Sequence, residues 1–378
     1  NDADISILLT DSRQMFFPDE TLFFALRTKN NDGHKYVSEL YYRQVRNFVV
    51  DTILPEWEEF DDANFLPVHD VLAALQRIAA HHRGRFNIPV IGITGSNGKT
   101  VVKEWLYQVL QPNFNITHSP RSYNSQIGVP LSVWQMDERT QLGIFEAGIS
   151  QPDEMSKLES IIQPTIGVFT NIGQAHQEGF KSMKEKCLEK LELFIHSDVI
   201  ICEEEDELLD ECMEIACLSQ KRLTWSRKGS SKSPVHIMKV RKQDASTIID
   251  FSILGFESQA TIPFTDDASI ENAIQVLAVS VYLRIPFPDF IARLEKLEPV
   301  AMRLDVRTGK NNCTLINDSY NSDINSLNIA LDFLAQRATS SEQKQALLLS
   351  DIPHSGLDTK ALYTLAADLI DKKLVELL

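Results

Sequence analysis

The stretch Ile91-Gly-Ile-Thr-Gly-Ser-Asn-Gly-Lys-Thr100 decides how this chain is read. An apolar run enters Thr94-Gly95-Ser96-Asn97-Gly98-Lys99-Thr100, and a helical pattern, Val101 to Leu110, follows at once. Glycines let the backbone curl so that successive N–H groups face an anion. The start of the following helix adds partial positive charge. In such a loop the lysine, here Lys99, reaches the β- and γ-phosphates of a nucleotide, and the hydroxyl of Thr100 ligates Mg²⁺. The generic loop has a glycine five residues before its Gly-Lys pair; Ile93 stands there, so this is a shorter Gly-x-x-Gly-Lys-Thr form. The plain alternative is a glycine-rich turn that only joins a strand to a helix. The order strand, loop, Lys-Thr, helix favours the phosphate reading.

Working outward, apolar strands alternate with helix patterns. Strands are expected at Pro89 to Thr94, Gly143 to Ala147, Ile166 to Thr170 and Asp198 to Cys202. Helices are expected at Val101 to Leu110, Met155 to Ile162, Cys187 to Phe194 and Ser269 to Leu283. This alternation predicts an α/β fold on a mainly parallel sheet. Ile237 to Val240 and Thr247 to Ile253 are more polar and read as an antiparallel extension. Before this zone lie short strand-like runs, Thr21 to Leu26 and Phe48 to Val50, and an amphipathic stretch, Val68 to His82, suited to a connecting helix. After it come a strand (Cys313 to Asn317), a helix (Ser326 to Leu334), a strand (Ala346 to Leu349) and a helix (Thr359 to Ile370). The expected units are 1–85, 86–300 and 301–378. The last holds too few elements for a complete sheet and is expected to be an α/β domain cut short.

A chain of 378 residues, 43% hydrophobic and 24% charged, buries its cores without disulfide or metal staples. Its net charge of −16 argues against general affinity for nucleic acid or anionic membranes. Five cysteines without a Cys-x-x-Cys pair read as reduced thiols. No apolar run reaches about 18 residues and no signal-peptide pattern occurs, so the expectation is a cytoplasmic chain with no stable membrane insertion; a monomer is expected as well.

Further motifs narrow the nucleotide reading. Ser122-Tyr-Asn-Ser-Gln-Ile-Gly-Val-Pro130 lies downstream of the loop, then Phe145-Glu-Ala-Gly148 and Thr170-Asn-Ile-Gly-Gln-Ala-His176, both at strand ends. Arg303 and Asn317-Asp-Ser-Tyr-Asn321 follow. Upstream stand Asp11-Ser12-Arg13, Leu22-Phe-Phe-Ala-Leu26 and Asp32-Gly-His34. In order and wording this set resembles the Mur ligases across essentially the whole chain, and Asp318-Ser-Tyr-Asn321 is similar to the D-alanyl-D-alanine-adding branch. The resemblance implies a three-domain architecture around a central ATP-binding domain. It implies ATP and Mg²⁺ as cofactors, and UDP-N-acetylmuramoyl-tripeptide and D-alanyl-D-alanine as substrates. The γ-phosphoryl of ATP would move to the tripeptide carboxylate, and the amine would attack the acyl phosphate.

Residue by residue, the resemblance implies that Thr94 to Thr100 hold the ATP phosphates, with Lys99 catalytic. Glu146 and Thr100 would hold one Mg²⁺, and His176 and a carbamylated Lys190 a second. Asn272 would contact adenine, Arg303 the γ-phosphate and Asp318 the nucleotide from a mobile third domain. Ser12 and Arg13 would lie near the uridine-diphosphate end, with Asn124, Tyr320 and Asn321 on the substrates. Departures are Leu191, where the family has glycine after the modified lysine, and Ser322-Asp-Ile324, where it commonly reads Ala-Asn-Pro. Bland readings stand beside these: Glu146 as a polar strand end, His176 as a structural histidine, Lys190 as a solvated helix lysine, Asn272 as a helix-surface asparagine. Some bacterial versions of the enzyme are fused to an alanine racemase; nothing in these residues shows one. Alternatives are another Mur or folylpolyglutamate-type ligase, or a non-catalytic nucleotide-binding fragment.

Overall fold

The computed structural model describes residues 4–28, 31–173, 177–227, 233–300, 305–310, 313–319, 324–337, 344–352, 358–373 and 376–377. The chain opens with β1 (Ile7–Leu9), β2 (Thr21–Phe24), a small hairpin of β3 (Arg27–Thr28) and β4 (Asn31–Asp32), helix α1 (Val37–Tyr42), β5 (Asn47–Val50) and β6 (Asn64–Pro67). Strands β1, β2, β5 and β6 pair in parallel in that order. Both faces of this sheet are apolar. Phe23 and Phe48 pack with Trp57 on one side, and Leu22, Phe24 and Val49 pack on the other against α2 (Val71–Arg83). Asp70 starts α2 by accepting from the Ala73 N–H, and Gly84 follows its end. Helix α2 serves two layers. Its Leu75 joins the first sheet's core, while the buried Arg83 donates to the carbonyls of Ile162 and Gln163 in the next unit, both at 2.9 Å. Thus α2 joins the two units through its packing.

The central unit holds β7 (Val90–Thr94), α3 (Lys99–Leu110), β8 (Ile116–His118), α4 (Gly128–Val133), β9 (Leu142–Glu146), α5 (Met155–Ile162) and β10 (Ile166–Phe169). Then come α6 (Met183–Leu191), β11 (Val199–Glu203), α7 (Glu207–Ile215), β12 (Arg222–Ser226), β13 (Val235–Lys242), β14 (Thr247–Ile253), β15 (Phe256–Ile262), α8 (Asp267–Tyr282) and α9 (Phe287–Leu294). Nine strands form one sheet in the order β15-β14-β13-β12-β11-β10-β7-β9-β8. From β8 to β13 every neighbour is parallel, and β14 and β15 are antiparallel additions; the expected antiparallel extension holds for Thr247 to Ile253, whereas the strand with Ile237 to Val240 pairs in parallel with β12 and antiparallel only with β14. One core lies under α3, α8 and α9, and a second under α5, α6 and α7.

Strand β7 sits between β9 and β10. The chain leaves β7 for β8 at one edge, returns through β9, then crosses to β10 on the other side. The loops after β7, β9 and β10 therefore open on one crevice, the ligand-binding place of open α/β sheets.

Beyond residue 304 the described elements are a hairpin of β16 (Asp305–Thr308) and β17 (Thr314–Asn317), α10 (Ile324–Arg337), β18 (Ala346–Leu347), α11 (Thr359–Lys373) and β19 (Glu376–Leu377). Leu327 and Leu331 on α10 pack on Leu362, Ala366 and Ile370 of α11. No described helix is long and apolar enough to cross a membrane.

Candidate active site

The phosphate loop is stitched from three sides. At the end of β7 the Thr94 hydroxyl donates to the Ala147 carbonyl at 2.9 Å, tying the loop to the exit of β9. The exit of β10 is tied in by Asn171: its carbonyl accepts from the Ser96 N–H at 2.8 Å and its Oδ1 from the Asn97 N–H at 3.0 Å. Two glycines carry left-handed backbone. Gly95 has φ +141°, and a Cβ there would stand 2.0 Å from Thr170 Oγ1. Gly98, the residue before α3, has φ +82°, and a Cβ there would stand 2.4 Å from Asn272 Oδ1. Both positions need glycine for conformation and for room.

Three lysines converge on this loop. Lys99 Nζ donates to the Gly95 and Ser96 carbonyls at 3.0 Å each. Lys190 Nζ donates to the same Gly95 carbonyl at 3.0 Å, and Lys186 Nζ to the Gly173 carbonyl. Lys186 and Lys190 are buried, one helical turn apart on α6. Burial first, and then the neighbouring Lys99 and Lys186 ammoniums, push the pKa of Lys190 well below the usual lysine range. The reading of Lys190 as a solvated helix lysine is thus corrected: the face of α6 that carries it packs on the loop.

Oxygen donors gather at the other end. Glu146 is fully buried as the last residue of β9 and lies in register with Ile93 of β7. Its N–H donates to Ser119 Oγ at 3.3 Å. Thr100 Oγ1 lies 3.1 Å from Ser122 Oγ. The fully buried Lys103 donates to the carbonyls of Ser119, at 2.6 Å, and Arg121, where the backbone is left-handed at φ +50°. A carboxylate with hydroxyls is a donor set suited to a hard divalent cation. No group of three His, Cys, Asp or Glu among the described residues could enclose a metal. Such a cation would therefore complete its shell with nucleotide oxygens and water, as Mg²⁺ does.

The loop separates two cavities. One, of about 310 Å³, is lined by Ser96, Lys99, Asn124, Gln126, Gly148 and Lys190. The other, of about 160 Å³, is lined by Asn97, Gly98, Trp105, Asn272, Asp318 and Phe333. Asn272 is 9% exposed and packs on Gly98, which corrects its reading as a helix-surface asparagine. Asp318, at the end of β17, lines the same cavity, so the third unit contributes to it. Asn124 is held beside the loop, its carbonyl accepting from the Gly148 N–H at 2.8 Å.

In the first unit Ser12 is buried, and its carbonyl accepts from Arg43 Nη1 at 2.9 Å. The Arg13 side chain is exposed and pairs with Asp11 at 2.7 Å. His176, Arg303, Tyr320 and Asn321 lie outside the described residues. The sequence reading passed over Ser122, Asn171, Lys103 and Lys186 as site residues. Ser122 and Asn171 stood inside quoted motifs, whereas the two lysines carried no local signal, because only tertiary packing buries them.

Residues 93–280 match the model of the Mur ligase middle domain. The chain belongs to the Mur ligase family. Within it the chain is of the MurF type. It is 28% identical over 349 residues to the UDP-N-acetylmuramoyl-tripeptide–D-alanyl-D-alanine ligase of Bacillus subtilis, covering 92% of this chain and 73% of that relative. The fold is also that of MurF from Acinetobacter baumannii, with TM-score 0.84 and 24% identity over 97% of this chain and 77% of that one. MurF of Thermotoga maritima, solved in complex with ADP, has TM-score 0.80 and 21% identity over 96% of this chain and 81% of that one.

Proposed function

We propose that this chain is an ATP-dependent, ADP-forming ligase that joins D-alanyl-D-alanine to UDP-N-acetylmuramoyl-tripeptide during synthesis of the peptidoglycan precursor. The observation that carries this is the placement of Lys99 and Lys190 on one carbonyl, at a wall between two cavities. One cavity suits a nucleotide and the other an anionic acceptor. A carboxylate is a poor electrophile and must be activated before an amine can attack it. In the proposed reaction a carboxylate oxygen of the tripeptide attacks the γ-phosphorus and ADP leaves. The amine nitrogen of D-alanyl-D-alanine then attacks the acyl carbon and loses a proton, and phosphate departs.

The chain's part is positioning and charge. Lys99 would exchange the Gly95 and Ser96 carbonyls for phosphate oxygens, and the first turn of α3 would face the same anion. Lys186 would keep the acceptor side positive as two anions approach. Thr100 and Glu146 would hold Mg²⁺, with His176 and carbamylated Lys190 as the second set; bound there, Mg²⁺ supplies charge neutralisation on the phosphates. In the ammonium form Lys190 is a donor to Gly95 and no ligand; its carbamate would offer oxygen donors of the kind Mg²⁺ takes. Asn272 and Asp318 would hold the nucleoside, Arg303 the γ-phosphate, and Ser12, Arg13, Asn124, Tyr320 and Asn321 the two substrates. A cytoplasmic monomer fits this role.

The test is ADP release by the purified chain, with the product read by mass spectrometry. Release should require both the nucleotide-tripeptide and D-alanyl-D-alanine. Release driven instead by glutamate, lysine or diaminopimelate with a shorter nucleotide-peptide would overturn the assignment.

A further inference from the structure

A third cavity, of about 450 Å³, lies apart from the phosphate loop and shares no lining residue with the cavities beside it. Its wall is apolar. Leu22, Val49 and Leu66 come from the first sheet, Ile78 from α2, and Trp134 from the residue after α4. Leu66 is 48% exposed, an uncovered leucine beside an open pocket. The rim is cationic: Arg77, His81 and Arg85 line the same cavity, spaced four residues apart along and just past α2. All three are exposed, and none has a carboxylate ion-pair partner among the described residues.

That row needs a reason. The chain carries a net charge of −16, so carboxylates are abundant. Like charges at this spacing repel along a helix face. The helix macrodipole favours cations only within the last turn, and Arg77 lies six residues before the end of α2 at Arg83. The positive field reaches the pocket floor. His82, whose Nε2 donates to the Met136 carbonyl at 2.9 Å and whose ring packs on Trp134 at 4.6 Å, has its pKa lowered by burial and then by Arg85 and His81.

We propose that this cavity is a binding site for a small anionic amphiphile, an apolar chain or ring lying on Leu66, Ile78 and Trp134 with a carboxylate or phosphate head on Arg77 and Arg85. The cavity falls within the size range of small-molecule sites, roughly 300–1,000 Å³, with the apolar wall and few polar groups such sites have. The apolar part supplies affinity by area removed from water, and the guanidinium fork selects the head group. Because the wall is built from the first sheet, α2 and Trp134, an occupant would bridge the nucleotide-peptide unit and the ATP unit. Trp134 already spans them, its Nε1 donating to the Ser6 carbonyl at 2.8 Å.

The experiment is calorimetric titration of the whole chain with dodecyl phosphate below its micelle-forming concentration. Parallel titrations use a cationic amphiphile, dodecyltrimethylammonium, and the double variant Arg77→Ala/Arg85→Ala. The variant removes two exposed side chains outside the catalytic loop, so its ADP release should match the parent. Expected is saturable one-site binding of dodecyl phosphate, weakened about tenfold or more by the double variant, with no saturable binding of the cation. A second variant, Leu66→Asp, changes an exposed wall residue and should weaken binding without touching the arginines. Equal binding of both amphiphiles, binding indifferent to both variants, or no binding at all would overturn the proposal. So would association with phosphatidylglycerol vesicles alone, which would make the row a membrane contact.

Discussion

Gly98→Ala puts the geometry of the phosphate loop to a quantitative test. Gly98 stands at φ +82°, where a Cβ meets the following carbonyl, at a cost of roughly 1–2 kcal/mol for an L-residue. The new methyl would also lie 2.4 Å from Asn272 Oδ1. Asn272 is only 9% exposed, so it yields by leaving its rotamer, at about 0.5–1.5 kcal/mol. The two parts together come to about 1.5–3.5 kcal/mol, or roughly 10- to 400-fold in an equilibrium constant. If the loop keeps its path, the loss appears in unfolding free energy; if it relaxes, it appears in ADP affinity. Urea unfolding and ADP titration on the same protein capture both. The double variant Gly98→Ala/Asn272→Ala, compared with Asn272→Ala alone, should recover the steric part and leave the backbone part. A Gly98→Ala protein within about 0.5 kcal/mol of the parent in both measurements would refute the reasoning.

Three further outcomes are expected. Lys99→Ala should abolish turnover with unchanged circular dichroism, because the side chain serves the loop rather than the core; near-normal ADP release would contradict the role given to Lys99. Arg303→Ala should lower kcat by about 10³-fold or more with ATP affinity spared, because the contact would form mainly in the closed, reacting state; steady-state kinetics beside ATP titration checks it, and a collapse of affinity with kcat intact would make Arg303 a ground-state anchor. Burial, with Glu271 and Glu205 beside it, pushes the Glu203 carboxyl from its ordinary 4.5 up to about 7. The folded state then holds the proton more tightly than the unfolded state, so stability is full below the unfolded value and falls as pH rises through this window. Glu203→Gln should therefore stabilise the protein at pH 8 by about 1 kcal/mol, discounted for partial exposure, and leave it unchanged near pH 4; an equal effect at both pH values would remove the charge explanation.

Local pattern carried much of this fold. The run Met155 to Ile162 reads as a helix and is one, and the apolar runs after Pro89, Asp198 and Thr165 are parallel strands. The misses have physical causes. Helix α4 hides in Ile127-Gly-Val-Pro130, where glycine and proline signal a turn; a proline in the first turn of a helix interrupts no intrahelical bond, so the helix forms anyway. Strand β8 is three residues long and half-buried at the sheet edge, too short to show alternation. Helix α6 begins at Met183, four residues earlier than its apolar pattern indicates, because Ser182 caps it by accepting from the Glu185 N–H. At the site, the phosphate loop was legible because its chemistry is contiguous. Lys103, Lys186 and the burial of Lys190 were not, since a lysine on a helix reads as solvated until the partner of that helix face is known.

Those buried lysines cost folding energy, and the cost points to their use. Two like charges one turn apart on a helix already repel, and taking each ammonium out of water adds a penalty of several kcal/mol before compensation. The Gly95 carbonyl accepts from Lys190 and the Gly173 carbonyl from Lys186, which offsets part of this. The distant acidic surface adds little here, because charges beyond about 8 Å are largely screened at physiological salt. An anion entering beside Gly95 therefore meets lysine nitrogens already stripped of water and already aimed. The reorganisation that would slow transfer between two anions has been completed during folding.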